Sequence, residues 1–218
     1  MNTLQKILSW IPQLLSGARI TISLTLVSVL VGLFLGIILA LGSMSKNKVV
    51  RALSKAYVFF FRGTPLLMQL YFVYYGLPEI NEMLTINNKF LAAFIAFSLN
   101  SGAYCSEIFR SAIQSIDKGQ MEAGKVLGLS YFQTMRLIII PQSIRRLVPP
   151  VGNEFIMMLK DASLVSIIAL ADITKVTRSI QSSTASSLVY IPAMILYLVI
   201  TAVFTLLFHC LEKKNTYE

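Results

Sequence analysis

Residues 20–45 read ITISLTLVSVLVGLFLGIILALGSMS and contain no charged side chain. A second uncharged run extends from Ser179 to Leu211. A helix crosses the hydrocarbon core of a bilayer with about 20 predominantly apolar residues, and both runs are longer than this. The first run is too long for the core of a signal peptide and precedes no small-residue cleavage pattern, so we expect it to be retained. The two runs predict an integral membrane protein.

The composition of the whole chain agrees with this prediction. Of its 218 residues, 56% are hydrophobic and 13% are charged, whereas soluble proteins carry about 25% charged residues. The net charge of +9 comes mostly from residues near the ends of apolar segments, where basic side chains anchor and orient helices. We do not expect nucleic-acid binding, because no basic stripe with interleaved aromatic residues is present. Cys105 and Cys210 are far apart, which favours buried, inert thiols.

Hydropathy divides the chain into five predicted membrane spans. They cover about 20–41, 56–78, 90–112, a fourth segment that begins near 135, and 189–211. The polar stretch 114–133 cannot cross a bilayer. Before the first span, apolar residues at helical spacing around Trp10 are typical of a short helix in the membrane interface. A helical extension of the first span is the alternative.

The distribution of basic residues predicts the orientation. Five spans place the two termini on opposite sides of the membrane. The basic loop from Lys46 to Lys55, the stretch from Arg110 to Lys125 and the C-terminal lysines fall on one side. Because cytoplasmic loops are rich in Lys and Arg, we expect the N-terminus outside and the C-terminus in the cytoplasm. Arg62, inside the second span, is expected to extend toward this basic side.

Residue patterns for catalysis or metal binding are missing. The single histidine, His209, belongs to no metal-binding motif, and no serine has a histidine and a carboxylate arranged around it. No glycine-rich phosphate loop is followed by Lys-Ser or Lys-Thr. We therefore expect no catalytic residue, no metal and no cofactor in this chain. If the protein does ATP-driven work, ATP is bound by another chain.

The polar stretch before the fourth span contains a distinctive pattern. It reads Gly119-Gln120-Met121-Glu122-Ala123-Gly124, with Gly128 four residues later, and Ile138 and Ile140-Pro141 follow. The small residues at 123, 124 and 128 would let a short helix pack closely against another surface. From the residues alone, a solvated loop with a helical turn is also possible.

This pattern resembles the cytoplasmic "EAA" loop of ATP-binding-cassette importer permeases. That loop has Glu-Ala-Ala, three residues, Gly, nine residues, Ile, one residue and Leu-Pro. The spacing is the same here, with Gly124 in place of the second alanine and Ile140 in place of the leucine. Further segments resemble the polar amino acid uptake branch, the histidine/arginine/glutamine permeases, and the likeness extends over about 17–211. They are Arg62-Gly63-Thr64-Pro65-Leu66, Glu107 with Arg110, Pro141-Gln142 and Leu159-Lys160-Asp161-Ala162-Ser163-Leu164.

The resemblance carries expectations about fold and partners. It implies an all-α fold of the type I importer permease, with 1–218 as one transmembrane permease domain in a bacterial inner membrane. The coupling residues that it implies for docking to the ATPase lie in a cytoplasmic helix within 119–130: Gly119, Glu122, Ala123, Gly124 and Gly128. The implied partners are two ATPase subunits, an extracytoplasmic solute-binding protein and a second permease subunit. A homodimer is the simplest arrangement.

Charged residues inside the fourth segment indicate a substrate site. A charge at the bilayer centre costs about 3 kcal/mol, so such residues usually face a cavity or a partner. Glu154 and Asp161 are seven apart and share a helix face, as do Asn153 and Lys160. Pro149-Pro150 and Gly152 predict a bend or break just before them.

We assign an amino acid substrate to these charges. Lys160 would bind its carboxylate and Asp161 its ammonium group, which leaves Glu154 for a positive side chain. This favours arginine, lysine, histidine or ornithine. Thr64 and Asn100 would add neutral hydrogen bonds.

Several alternatives remain at this point. In one alternative, Lys160 and Asp161 bind no substrate and form a salt bridge at the outer interface. Likewise, Thr64 and Asn100 would make ordinary helix–helix contacts. In a second alternative, the chain belongs to the same type of importer but its cargo is a neutral or acidic polar amino acid such as glutamine. In another class, the chain would be a gradient-driven carrier without an ATPase.

Overall fold

A computed structural model describes residues 3–216, with the side chains of 5–213, and in this range the chain is helical without β-strands. Its first half contains α1 (Thr3–Ser43), α2 (Lys48–Gly63), α3 (Leu66–Tyr71), a π-helical turn (Phe72–Gly76), α4 (Leu77–Ile80), a 3₁₀ turn (Glu82–Leu84) and α5 (Lys89–Gln114). Its second half contains α6 (Lys118–Val126), α7 (Tyr131–Thr134), a π-helical turn (Met135–Ile139), α8 (Ile140–Asp161), a 3₁₀ segment (Ala162–Ile168), α9 (Ile173–Thr184), a 3₁₀ turn (Ser187–Val189) and α10 (Tyr190–Thr216). The side chain of Lys214, one of the lysines used to predict the orientation, lies outside the described range.

The N-terminal residues belong to the long helix α1. This helix continues through Pro12, so the structure favours the extension of the first span, and the expected separate interfacial helix is not found in residues 3–216. Trp10 and Leu14 are buried in a cluster with Ile173 of α9 and Ala193 of α10. Pro12 lies inside the helix and removes one of its hydrogen bonds. The packing of Trp10 and Leu14 offsets this loss and holds the N-terminal turns in line with the rest of α1.

The first and last predicted spans have the length and composition of membrane-crossing helices. By these two criteria, Gln5–Ser43 and Ser187–Lys213 qualify within the described residues. The helices between them carry more polar side chains, many of which face other helices. The count of five spans and the orientation of the termini stay predictions from the charge pattern.

Small residues bring α1 and α5 into close contact. A Cβ atom added to Gly32 would lie 2.7 Å from Cβ of Ser101, and one added to Gly36 would lie 2.6 Å from Cβ of Cys105. Small residues at such crossings let helix backbones approach in membranes, where packing replaces the hydrophobic effect as the driving force. The α1–α5 pair therefore forms a closely packed framework beside which α2 and α8 lie.

The second predicted span is interrupted where α2 ends at Gly63. Thr64 has extended backbone angles, with φ −115° and ψ 143°, and Pro65 is the N-cap of the next helix. The ring of a proline disfavours the helical conformation of the residue before it, which explains the break at this position.

The fourth segment differs from the prediction. The helix α8 is continuous from Ile140 to Asp161, with Pro149 and Pro150 inside it. Of the bend or break predicted before Glu154, the break is therefore wrong, and the bend stays a prediction. Packing explains the continuity: α8 contacts both α5 and α10, and Phe208 of α10 packs against Gly152, where a Cβ atom would lie 2.9 Å from its ring. Irregular backbone is found instead at the two ends of α8, in the segments Met135–Ile139 and Ala162–Ile168.

Candidate functional site

A buried amide network holds the interruption between α2 and α3. The last carbonyl groups of a helix have no partner within the helix itself. Here Nε2 of Gln69 donates to the carbonyl oxygen of Phe61 at 2.9 Å and to that of Thr64 at 3.0 Å. Asn100 on α5 donates to the same Phe61 oxygen at 3.0 Å and to Oε1 of Gln69 at 2.9 Å. The network fixes the shape of the break and attaches it to α5.

A cavity of about 350 Å³ opens beside this break, and we call it the central pocket. The residues that line it come from α2, the break, α5 and α8: Arg62, Gly63, Thr64, Pro65, Leu66, Asn100, Tyr104, Glu154, Met157, Met158 and Asp161. Four of the six residues predicted to bind substrate are among them. The structure thus brings Thr64, Asn100, Glu154 and Asp161 to one cavity.

Glu154 and Asp161 line the central pocket from α8, as their seven-residue spacing predicts. Glu154 is buried, with 6% of its surface exposed, and its Oε1 accepts a hydrogen bond from Ser101 on α5 at 3.1 Å. Asp161, at the end of α8, is exposed. One carboxylate therefore lies deep in the structure and the other at the end of the same helix face.

Lys160 and Asn153 lie on another side of α8. Both side chains are exposed, and neither lines the central pocket. The salt bridge proposed between Lys160 and Asp161 is also not formed: no ion pair joins these neighbours in the described part of the chain. A helix turns by about 100° per residue, so a side chain next to Asp161 points in a different direction.

Thr64 and Asn100 are already engaged with the protein. The hydroxyl of Thr64 donates to the carbonyl oxygen of Phe60 at 2.8 Å and accepts from Nε2 of Gln69 at 2.8 Å. Both hydrogens of the Asn100 amide have partners in the network at the break. These contacts match the alternative of ordinary helix–helix hydrogen bonds and make both residues part of the pocket wall.

Arg62 and Tyr104 line the pocket without having been predicted. The guanidinium carbon of Arg62 lies 5.3 Å from the centre of the Tyr104 ring, and Nη1 lies 3.9 Å from Oε2 of Glu107. Arg62 was expected only to extend toward the cytoplasm. A signal for this surface was present in the spacing of Asn100, Tyr104, Glu107 and Gln114, which places four polar side chains on one face of α5.

A larger cavity, of about 930 Å³, leads from this point toward the basic loop, and we call it the inner vestibule. Basic side chains dominate its wall. Its charged residues are Arg51, Lys55, Arg62, Glu107 and Arg110. Gly63, Arg62 and Tyr104 line both the inner vestibule and the central pocket. The two cavities therefore adjoin at these three residues, between Glu154 and the predicted cytoplasmic side.

The polar stretch with the Glu-Ala-Gly pattern forms the short helix α6. Asp117 caps its start, with Oδ1 accepting from the backbone N–H of Gly119 at 2.7 Å. At its end, Gly128 has φ +75°, and the N–H groups of Gly128 and Leu129 bond to the carbonyls of Lys125 and Gly124. This is a Schellman motif, which calls for glycine in the left-handed conformation.

The small residues of α6 have different roles from those expected. Gly124 is buried against Thr134 of α7, and an added Cβ atom would lie 2.6 Å from Cγ2 of that threonine. The threonine methyl thus occupies the space that an alanine side chain would need. Ala123 and Glu122 are exposed, and a Cβ atom on Gly128 would meet nothing within 4 Å. Close packing at Gly124 is therefore internal, and Gly128 ends the helix.

Large apolar side chains beside α6 are exposed. Their exposed fractions are 88% for Val126, 75% for Leu127, and 70% each for Tyr131 and Phe132. This segment joins α5 to α8 and belongs to the stretch that is too polar to cross a bilayer. An apolar patch on such a segment is typical of a protein–protein interface.

The fold and these two sites are typical of one class of protein: a helical membrane subunit of a transport system, with polar cavities among its helices and an exposed apolar patch beside α6. Residues 32–217 match the family described as binding-protein-dependent transport system inner membrane components, and the chain belongs to that family. It is therefore a permease subunit of an amino acid ABC importer, a transport subunit that works with an ATPase and a binding protein.

Individual relatives support the same assignment. The L-cystine transport system permease TcyB of Bacillus subtilis (strain 168) is 39% identical over 94% of this chain and 88% of its own. The arginine transport system permease ArtQ of the same organism is 37% identical over 94% of this chain and 93% of its own. A crystal structure of an amino acid ABC transporter with histidines covers 98% of this chain and 99% of its own at 37% identity, with a TM-score of 0.92. These likenesses support the predicted all-α type I importer permease fold.

Proposed function

We propose that this permease carries a basic amino acid, such as arginine, lysine or histidine, inward through the central pocket. The observation that supports the proposal most directly is the set of charges around that pocket: the carboxylates of Glu154 and Asp161 and the guanidinium of Arg62. A basic amino acid with a charged side chain carries two positive groups and one carboxylate. Its charges are complementary to those of the pocket.

Arg62 takes the role that the sequence assigned to Lys160. Arg62 lies on the pocket wall and Lys160 does not, and a guanidinium can bind a carboxylate with two parallel hydrogen bonds. The α-ammonium and the side-chain cation would then meet Asp161 and Glu154. Thr64 and Asn100 shape the wall between them, since their own hydrogen bonds are made to the protein.

Burial of Glu154 is the physical reason for selectivity. A carboxylate with 6% exposure that accepts one hydrogen bond from Ser101 at 3.1 Å gains from a cationic partner, because an unpaired buried charge is costly. A zwitterion such as glutamine would leave one of the two carboxylates without a partner. A neutral or acidic cargo is therefore the less favoured alternative. The relatives described above are named as L-cystine and arginine transport permeases, so family membership alone does not identify the cargo.

A second permease copy would complete the route. Arg146, Asn153, Met157 and Lys160 are exposed along one side of α8, at positions that form a stripe on a helix. Charges on this stripe are costly against lipid, so a protein partner or water must cover it. A two-fold homodimer is the simplest arrangement that places this stripe at a shared pathway.

The docking element for the ATPase would be α6 with the turn that follows it. Gly119, Glu122, Ala123, Gly124 and Gly128 define its shape, and the exposed side chains of Val126 and Leu127 supply apolar contact area. Two such elements would transmit closure of the ATPases to the spans as rigid bodies. The extracytoplasmic binding protein would deliver cargo from the opposite side, with the N-terminus outside and the C-terminus in the cytoplasm.

The test is a binding and flux screen of the twenty amino acids on the assembled complex of permeases and ATPases in lipid nanodiscs and proteoliposomes. We expect arginine or lysine to bind best without the binding protein, and Glu154→Gln to reduce that affinity by about tenfold or more, the value of a lost charge-assisted bond. Glu82→Gln, in the exposed turn after α4, is the matched control. Equal affinities of wild type and Glu154→Gln for every basic amino acid would refute the assignment.

The same preparation separates the importer from a gradient-driven carrier. Transport by the purified permease in liposomes without ATPase would support the carrier. We expect none. Leu127→Asp should lower ATP-driven uptake while cargo binding is retained, because the substitution places a charge in the proposed docking contact.

A further inference from the structure

The three polar cavities of the described structure meet at Arg62 and Tyr104. Both residues line the central pocket, the inner vestibule and a third cavity of about 460 Å³ that extends between α5 and α8 toward Arg146. Both residues therefore lie where the central pocket adjoins the two cavities on the predicted cytoplasmic side.

The position of Arg62 results from two neighbours on α5. The Tyr104 ring attracts the guanidinium from a distance of 5.3 Å, as cations are attracted to aromatic faces. One helical turn further, Oε2 of Glu107 lies 3.9 Å from Nη1. The side chain of Arg62 is 43% exposed and that of Glu107 is 26% exposed. Water therefore screens this ion pair, and the two side chains can separate.

Glu107 has a second, tighter partner. Nε of Arg110 donates to both of its oxygens, at 3.0 and 3.2 Å, and Nη2 donates to Oε2. Arg62 therefore competes with Arg110 for one carboxylate below the pocket. Above it, Arg62 faces the carboxylates of Glu154 and Asp161 across the pocket. A long, flexible cation between two sets of anions can occupy either position.

We propose that Arg62 is the inner gate of the central pocket and that Glu107 is the positioning residue that draws it open. With Arg62 on Glu107, the pocket communicates with the inner vestibule. With Arg62 turned upward, its guanidinium covers the inner mouth and contacts either the pocket carboxylates or the cargo carboxylate. Cargo release then requires transfer of Arg62 from the cargo to Glu107. The transfer of Arg62 from the cargo to Glu107 rests on the proposed function, whereas the gate itself does not.

Gate position is measurable without any cargo. In a Cys210→Ser background, which removes the exposed native thiol while Cys105 is buried, Met158→Cys introduces a thiol on the pocket wall. Met158 is 2% exposed and lines the central pocket but neither of the other two cavities. The probe is a neutral maleimide, added to the cytoplasmic side of proteoliposomes that contain the assembled complex. We expect Glu107→Gln to slow labelling about two- to fivefold, the range for a partly exposed ion pair.

Arg51→Gln is the matched control, because Arg51 lines the inner vestibule but not the central pocket. It removes a charge of the same cavity and should leave the labelling rate unchanged. Equal labelling rates in the Glu107→Gln and Arg51→Gln variants would overturn the gate.

Transport kinetics provide the second readout. With Glu107→Gln, Arg62 stays longer on the cargo, so both kcat and KM for arginine uptake should fall about two- to fivefold. Arg110→Gln removes the competitor for Glu107 and should change KM in the opposite direction. Damage to folding would lower kcat without lowering KM, which would count against the proposal. Slowed labelling with unchanged arginine kinetics would keep the gate and instead refute basic amino acids as the cargo.

Discussion

Gln69 is expected to be the single residue on which the shape of the break between α2 and α3 depends most. It is 7% exposed, and its amide hydrogens serve the Phe61 and Thr64 carbonyls while its oxygen accepts from Asn100. The substitution Gln69→Met keeps the length of the side chain and removes both donors and the strong acceptor.

The magnitude follows from this count of bonds. Nε2 has two hydrogens for three acceptors, the Phe61 and Thr64 carbonyls and the Thr64 hydroxyl, so it is counted as two donated bonds. With the one accepted bond, at about 0.5–1.5 kcal/mol each, the loss is about 1.5–4.5 kcal/mol. For chains of this size 1 kcal/mol corresponds to about 2–4 °C in the unfolding midpoint, so the apparent Tm should fall by about 3 °C or more. Cargo affinity should fall too, because Thr64 and Asn100 on the pocket wall lose their common partner.

The assay uses a native reporter. Cys105 is fully buried, so a thiol-reactive dye reports unfolding of α5 during heating when Cys210 has been replaced by serine. Gln142→Met is the control: it is the same substitution at a half-buried glutamine of α8, which bonds to the Ile138 carbonyl and to Gln120. A shift for Gln69→Met no larger than that of the control would refute the reasoning that the network holds the break.

Two further substitutions test the packing and the end of the coupling helix. Gly36→Ala should destabilise the protein by about 1–3 kcal/mol through overpacking against Cys105, whereas Gly63→Ala, whose Cβ atom meets nothing within 4 Å, should have the apparent Tm of wild type. Equal midpoints for the two variants would contradict the close α1–α5 contact. Gly128→Ala should cost about 1–2 kcal/mol because of its positive φ and should weaken cargo-stimulated ATPase activity, while Gly128→Asn, which tolerates this conformation, should retain both. Alanine and asparagine variants with the same activity would count against the Schellman end of α6.

Local patterns explain why a helix within 119–130 could be predicted. Its ends at Asp117 and Gly128 depend on neighbouring residues, although the prediction named no cap and gave Gly128 a packing role. The break at Thr64-Pro65 is also local, but the predicted second span ran through it. The continuity of α8 through Pro149 and Pro150 could not be predicted in this way, because contacts with α5 and α10 compensate for the lost donors.

The sequence by itself determined that the chain is a helical membrane protein with a short helix in the polar stretch 114–133, since apolar run length and turn residues are local properties. The spacing of the motif led to the permease family through resemblance. It also determined that Glu154 and Asp161 share a helix face, because the period of a helix is known in advance. Only the tertiary structure decided which cation shares a pocket wall with these carboxylates. Lys160 is their neighbour in sequence, but Arg62 lies on the pocket wall because the break after Gly63 and the α5 network bring the end of α2 beside α8. Helix periodicity tells which residues of one helix point the same way, and packing between helices decides what they face.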